Sequence, residues 1–232
     1  MISIDLPEQT FHRMQLIDRR KEKGRAVSIG DATSWIELAD PQHIRLSNNA
    51  INDDKELEQF LAADDGAYRY DYVRLGCTFC PRNGERFEKA WLSVSLKTET
   101  GQTAVAPISW SLFPLNEYDS VEESVSTKIG STGKIVNAEV GASSKLTKRL
   151  YSLRGFREGQ PDPYWELSHN EVSDLNGSIR FHLIVRSGAG NPTLGQVQLE
   201  AVIGKRSFLA FRVKRPFDQT PAAEFRLPPV LR

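Results

Sequence analysis

Cysteine is nearly absent from this chain: of 232 residues, only Cys77 and Cys80 carry thiols. A lone pair with a two-residue spacer excludes a disulfide framework. A closed structural zinc site would need two further ligands, and no second Cys pair or His-spacing motif supplies them. Net charge is absent too, thirty Lys plus Arg standing against thirty Asp plus Glu. With no global field to draw the chain onto nucleic acid or an anionic membrane, any such contact has to be local, and nucleic acid is not an expected partner. No run of about 18 apolar residues occurs, and the opening stretch MISIDLPEQTFHRMQ has no apolar core behind a basic start. Neither a helical membrane span nor a secretory leader is expected, and a cytoplasmic location follows as the expectation.

Catalytic signatures are missing as well. There is no Gly-x-Ser-x-Gly elbow, no His-Glu-x-x-His helix and no Walker loop, and Ser187-Gly-Ala-Gly-Asn191 lacks the third glycine and the helix of a dinucleotide site. The four histidines, His12, His43, His169 and His182, are scattered, and His182 reads as the polar face of a strand. The carboxylate pairs Asp64-Asp65 and Glu122-Glu123 are adjacent in sequence, so on extended chain they diverge rather than face a common substrate. No enzyme and no cofactor are expected. Cys77-Thr-Phe-Cys80-Pro81 is the one motif that keeps a redox or metal-binding reading open.

What is present is the composition of a folded domain, 39% hydrophobic with 26% charged residues, at a length ample for a core. In the first 62 residues Leu6, Thr10, Met14 and Ile17 recur at helical spacing behind Asp5 and Pro7, so a helix is expected over 7–23. A second is expected over 53–63, where Leu57, Phe60 and Leu61 share a face. From Tyr68 the period drops to 2 and turn residues come at short intervals, the pattern of antiparallel strands. Leu92, Val94 and Leu96, then Ala104, Ala106, Ile108, Trp110 and Leu112, predict a hairpin over 87–112. Ile179, Phe181, Leu183 and Val185 predict a strand after the tight Asn176-Gly177 turn. With Val197 to Ile203 and Arg206 to Val213 that strand predicts a three-stranded meander. Four prolines between Pro216 and Pro229 make the end of the chain extended, strapped over the body or free.

The fold class expected is therefore mainly β: an antiparallel β-sandwich with a short helical N-terminal segment and one inserted amphipathic helix. The boundaries are a helical segment over 1–62, the sandwich over 63–218 and a Pro-rich tail over 219–232. The inserted helix is Ser144 to Arg157, where Leu146, Leu150, Leu153 and Phe156 fall at helical steps among Lys145, Lys148, Arg149, Arg154 and Arg157. These five cations, together with Trp91 on an outer sheet face, are the candidate partner- or anion-binding residues. They lead to an intracellular interaction module, a subunit or accessory protein that binds a protein partner or a second copy.

One stretch points elsewhere. Over 119–143, Val121, Val125 and Ile129 alternate with charged or hydroxylated residues, Gly130-Ser-Thr-Gly133 makes a turn, and small and polar residues return. Each arm is close to the roughly 9–11 residues that a membrane-spanning β-strand requires, although Glu123 stands on the apolar side. Pore-forming toxins insert hairpins of this general texture, so a membrane-active protein that uses 119–143, with an anionic membrane surface as its partner, is the alternative reading.

Overall fold

The computed structural model describes residues 6–14, 34–46, 59, 66–82, 84–99, 105–126, 143–205 and 223–229, with backbone alone at 121–126, 143–148 and 205. Side chains that alternate between oil and water build its strands. In β4, Tyr68–Cys80, the residues Val73, Leu75, Cys77 and Phe79 are buried and alternate with Tyr72, Arg74 and Thr78 on the other face. In β10, Gly177–Gly188, the buried set is Phe181, Leu183 and Val185. Such strands bury one face each, and two sheets stacked on those faces close the core.

The first sheet has β1 (Phe11–Met14), β2 (Trp35–Ala39), β4, β10 and β6 (Ile108–Phe113) in that order, with β3 (Gln42–Leu46) also paired to β4. The second runs β12 (Ala223–Leu227), β11 (Thr193–Lys205), β5 (Glu85–Thr98), β9 (Tyr164–Ser168), β8 (Ser143–Phe156) and β7 (Asn116–Ser126). These strands pair antiparallel throughout. Rings lock the two sheets together: Trp165 lies 5.1 Å from Phe181, and Phe79 lies 5.1 Å from Phe87, centroid to centroid. The Trp165 indole donates its N–H to the Pro114 carbonyl at 2.9 Å, so the largest buried side chain leaves no polar atom orphaned. A bulge opposite Val202 and Ile203 skips Glu88, which lets Phe87 and Ala90 both face inward. On β11, Gly195 is required by packing, because an added Cβ would stand 2.1 Å from the Phe225 ring of β12.

The mainly β class with two antiparallel sheets agrees with expectation; the helices do not. Residues 11–14 of the expected 7–23 helix form β1, and residues 15–23 lie outside the described residues. Of the expected 53–63 helix only Gln59 is described, with helical backbone. The inserted helix over 144–157 is corrected outright, for this stretch is β8. Leucines three and four apart fit a helix, but Thr147, Tyr151 and Phe156 favour extended chain, Gly155 weakens a helix, and β7 and β9 supply the backbone partners that settle it.

Two pairings also differ. β5 and β6 are not a hairpin: β5 pairs with β11 and β9, while β6 pairs with β10 in the other sheet. Likewise β10 and β11 sit in different sheets, and 206–213 lies outside the described residues, so the meander is not seen. In the Pro-rich tail, Ala223–Leu227 is β12, strapped onto β11.

A buried ion pair ties that strap down. Arg69 and Asp71 point into the core from β4, and Arg69 Nε meets Asp71 Oδ2 at 2.9 Å. Arg69 also donates to the carbonyls of Leu227 at 2.9 Å and Pro228 at 2.5 Å and to Thr193 Oγ1 at 3.2 Å. Burial pushes the Asp71 carboxyl up and the Arg69 guanidinium down, each opposed by the charge of the other.

Candidate functional site

At the edge of the second sheet, β7 and β8 form a long ribbon. Eleven residue pairs join them, from Asn116 opposite Arg154 to Ser126 opposite Ser143. By contrast β9 meets β8 only at Leu153, Arg154, Gly155 and Phe156. Beyond Ser152, then, the ribbon has no third strand among the described residues, and a bulge between Glu117 and Tyr118 marks the point of departure. The hairpin expected over 119–143 is thus longer and shifted in register. Its second arm is β8, while its expected return arm over 135–142 lies outside the described residues.

A polar clasp holds the base of this ribbon. Asn170 Nδ2 donates to Asp119 Oδ2 at 2.9 Å on one arm and to the Leu150 carbonyl at 3.2 Å on the other. Ser173 Oγ donates to the same Asp119 oxygen at 2.8 Å. Asn170 Oδ1 in turn accepts the backbone N–H groups of Val172 at 2.8 Å and Ser173 at 2.7 Å, which fixes the clasping loop. The donors Asn170 and Ser173 hold the Asp119 carboxyl below the usual carboxylate range. A depressed folded value means that the clasp is intact above the ordinary carboxylate pKa and is lost as pH falls through the depressed one. Amide protection at the ribbon base is expected to hold from neutral pH to about pH 4 and to fall below it, whereas Asp119→Ala loses protection at every pH. A pH-independent profile in the parent protein would contradict the clasp.

The residues singled out from sequence are dispersed. Arg149 is exposed, 4.9 Å over the Tyr118 ring. Arg154 pairs with Glu166 at 3.1 Å, and the Trp91 indole donates to the other oxygen of that carboxylate at 3.2 Å, so these two do share a site. Arg157 sits apart, past the end of β8, with φ of 62° and Asp162 at 2.7 Å. Lys145 and Lys148 stand opposite Ser124 and Val121 in the backbone register. A helix would gather these five cations round one rod, whereas extended chain spreads residues 145–157 over about 40 Å.

Cys77 and Cys80 belong to one strand and face opposite sides of it. Three residues of strand separate their Cα atoms by about 10 Å, beyond the reach of a disulfide. Cys77 is fully buried, and desolvation pushes its thiol far up, which keeps it protonated and unreactive. Among the described residues no group of three or more His, Cys, Asp or Glu is placed to hold a metal ion.

Sequence reasoning missed one feature. On the outer face of the first sheet a cleft of about 220 Å³ is lined by Leu46, Tyr72, Ser111, Phe113 and His182, among others. Tyr72 Oη and His182 Nδ1 share a hydrogen bond of 2.5 Å, and the rings stack at 5.5 Å. Burial, then Arg74 and Arg180, push the His182 imidazole down, which favours its neutral form. The residues come from four strands, β3, β4, β6 and β10, and no local signal joins them.

No family model and no curated protein matches the chain. Similar solved structures include the NetB toxin of Clostridium perfringens in the membrane inserted form, at 9% identity and a TM-score of 0.32, covering 95% of this chain and 94% of that one. Another is a pore forming protein, at 9% identity and a TM-score of 0.33, covering 95% of this chain and 88% of that one. The expectation of an intracellular interaction module in the cytoplasm is corrected: the basic helix, one of the surfaces it was to use, is a strand, and the similar structures are of a membrane-inserted toxin and a pore forming protein. Likeness at these TM-scores does not establish a shared fold, and what the ribbon does has to be argued from its own geometry. No helix among the described residues is long and apolar enough to cross a membrane, which says nothing of strands.

Proposed function

We propose that this chain is a membrane-active protein that forms pores from β7–β8 hairpins contributed by several copies. The observation that carries the reading is the ribbon itself, eleven paired residues with a third strand, among the described residues, only at its base. At 11 and 14 residues, β7 and β8 each meet the roughly 9–11 that a tilted strand needs to cross the hydrocarbon. Strands cross a bilayer only in a closed barrel, where no backbone group is left unpaired. One hairpin cannot close such a barrel, so copies must pair edge to edge, and an even strand number follows from two strands per copy. Among the described residues β7 is the terminal strand of the second sheet, and its outer edge is the place for the next copy to add. The sequence of the arms and of the 127–142 segment between them suits a lumen, with hydroxylated and charged residues alternating with Val and Ile.

Dye release tests this. The purified protein is expected to empty dye-loaded phosphatidylcholine vesicles, with release rising more steeply than first order in protein concentration. Intact vesicles at micromolar protein, with no oligomer recovered from the lipid, would remove the reading.

A further inference from the structure

The cleft on the first sheet lies on a surface that four strands build together. The backbone register sets Gln42, Arg74, His182 and Phe113 in one row across β3, β4, β10 and β6, with Ile44, Tyr72, Ile184 and Ser111 in the next. Side chains meet across these rows. The Tyr72 and Phe113 rings lie 5.5 and 6.1 Å from the His182 imidazole, and Tyr72 and Ile184 pack against the buried pair Leu46 and Tyr70.

The charge on this face has one sign. β3, β4, β6 and β10 contain a single carboxylate, Asp71, and it is turned to the core beside Arg69. Arg180, opposite Gly76, stands one step along β10 from the row of Arg74 and His182, and the charges of both arginines reach the imidazole. Among the described residues neither guanidinium pairs with a carboxylate: Arg74 donates to the neutral oxygens of Gln42 and Pro7, and Arg180 is exposed. Two such forks without an acid are complementary to an anion, and their planar geometry suits a carboxylate.

The cleft itself selects the rest of the ligand. At about 220 Å³ it is smaller than the roughly 300–1,000 Å³ of sites for drug-sized molecules, so it takes a single ring. Its lining sets apolar Leu46, Phe113 and Ile184 beside Ser111, Tyr72 and His182, groups that both donate and accept hydrogen bonds. Tyr72 Oη holds His182 Nδ1 at 2.5 Å, which leaves Nε2 as the ring nitrogen available to a ligand. A ring with C–H groups on its face and hydroxyls on its rim answers both kinds of lining. An all-apolar ring would leave the polar groups without partners.

We infer that this cleft binds an acidic sugar, with the pyranose ring against Phe113, its hydroxyls on Ser111 and His182, and its carboxylate between Arg74 and Arg180. The inference rests on the pore-forming reading only for the source of the sugar, the end of a glycan on the target membrane. The cleft belongs to the first sheet and the ribbon to the second, so a bound glycan leaves β7 and β8 free to move.

Calorimetric titration with 3′-sialyllactose tests it, with lactose and adenosine monophosphate as controls. Arg180→Gln is expected to weaken binding of the acidic sugar about tenfold, the loss of one charge-assisted bond, and lactose is expected to bind the parent as weakly. Phe113→Ser, at a position 66% exposed, is expected to weaken it at an unchanged melting temperature. Lys97→Gln, which removes an exposed charge from the second sheet, is expected to change nothing. Equal binding by the parent and Arg180→Gln, no binding at millimolar sugar, or tighter binding of the nucleotide would each overturn the inference. Saturation-transfer NMR on the parent needs no variant: irradiated aromatic protons are expected to reach the sialic acid ring before the lactose, and the opposite order would overturn it. Sugar binding by a protein that empties no vesicle would remove the pore reading and keep the site. Dye release by a protein that binds no sugar would do the reverse.

Discussion

Replacing Asp71 by alanine is expected to lower the unfolding free energy by about 3–5 kcal/mol, the cost typical of leaving a buried charge without its partner. Arg69 is as deeply buried as Asp71, with side-chain exposures of 2% and 1%. Without the carboxylate, its charge is offset only by neutral acceptors, the Leu227 and Pro228 carbonyls and Thr193 Oγ1. Those bonds fasten β12, so the strap is expected to loosen first and to show as early exchange of the 223–227 amides. A urea titration measures the loss. Replacing both partners, Arg69→Met with Asp71→Leu, is expected to recover most of it, because the penalty arises from desolvated charge and not from a missing attraction. A loss under about 1 kcal/mol for Asp71→Ala would mean that water reaches Arg69.

Tying the hairpin to its clasp is expected to cut dye release at least tenfold. Asp119→Cys and Ser173→Cys, made in a Cys80→Ser background and bridged by a short thiol crosslinker, join β7 to the loop after β9. The native side chains already meet there at 2.8 Å, and the remaining thiol, Cys77, is buried. Before bridging, the variant lacks the Asp119 clasp, so it is expected to release dye at least as fast as the parent. Afterwards the arms cannot leave the sandwich, and release is expected to stop until the bridge is cleaved. Undiminished release by the bridged protein would place the membrane-crossing element somewhere other than β7 and β8. The contrast is large because one covalent link acts on a rearrangement that the native structure restrains at few points: four residues of β8 against β9, and three side-chain hydrogen bonds at the clasp.

Much of this was legible in the residues, and the failures have a common cause. Phe181, Leu183 and Val185, or Leu92, Val94 and Leu96, alternate with polar neighbours, and each set is buried. A period of 2 is a local property, set by the geometry of extended chain. The turn before β10 was readable for the same reason, Gly177 taking φ of 82° after Asn176. Partner choice is not local. The alternation in β5 and β6 suits a hairpin as well as two strands in separate sheets, and the same holds for β10 and β11. In β8 the leucine spacing suits either a helix or a strand, and neighbouring strands broke the tie. Trp91 and Arg154 were both noted as candidates, yet only Glu166, on a strand between theirs, brings them together.

The chain by itself determined that it is built of strands and which side chains are sealed from water, since both follow from the spacing of apolar residues along extended backbone. Tertiary structure alone decided which strands lie side by side, because backbone hydrogen bonds carry no side-chain identity. Among the described residues, that choice set β7 and β8 at an edge, with a third strand only at their base.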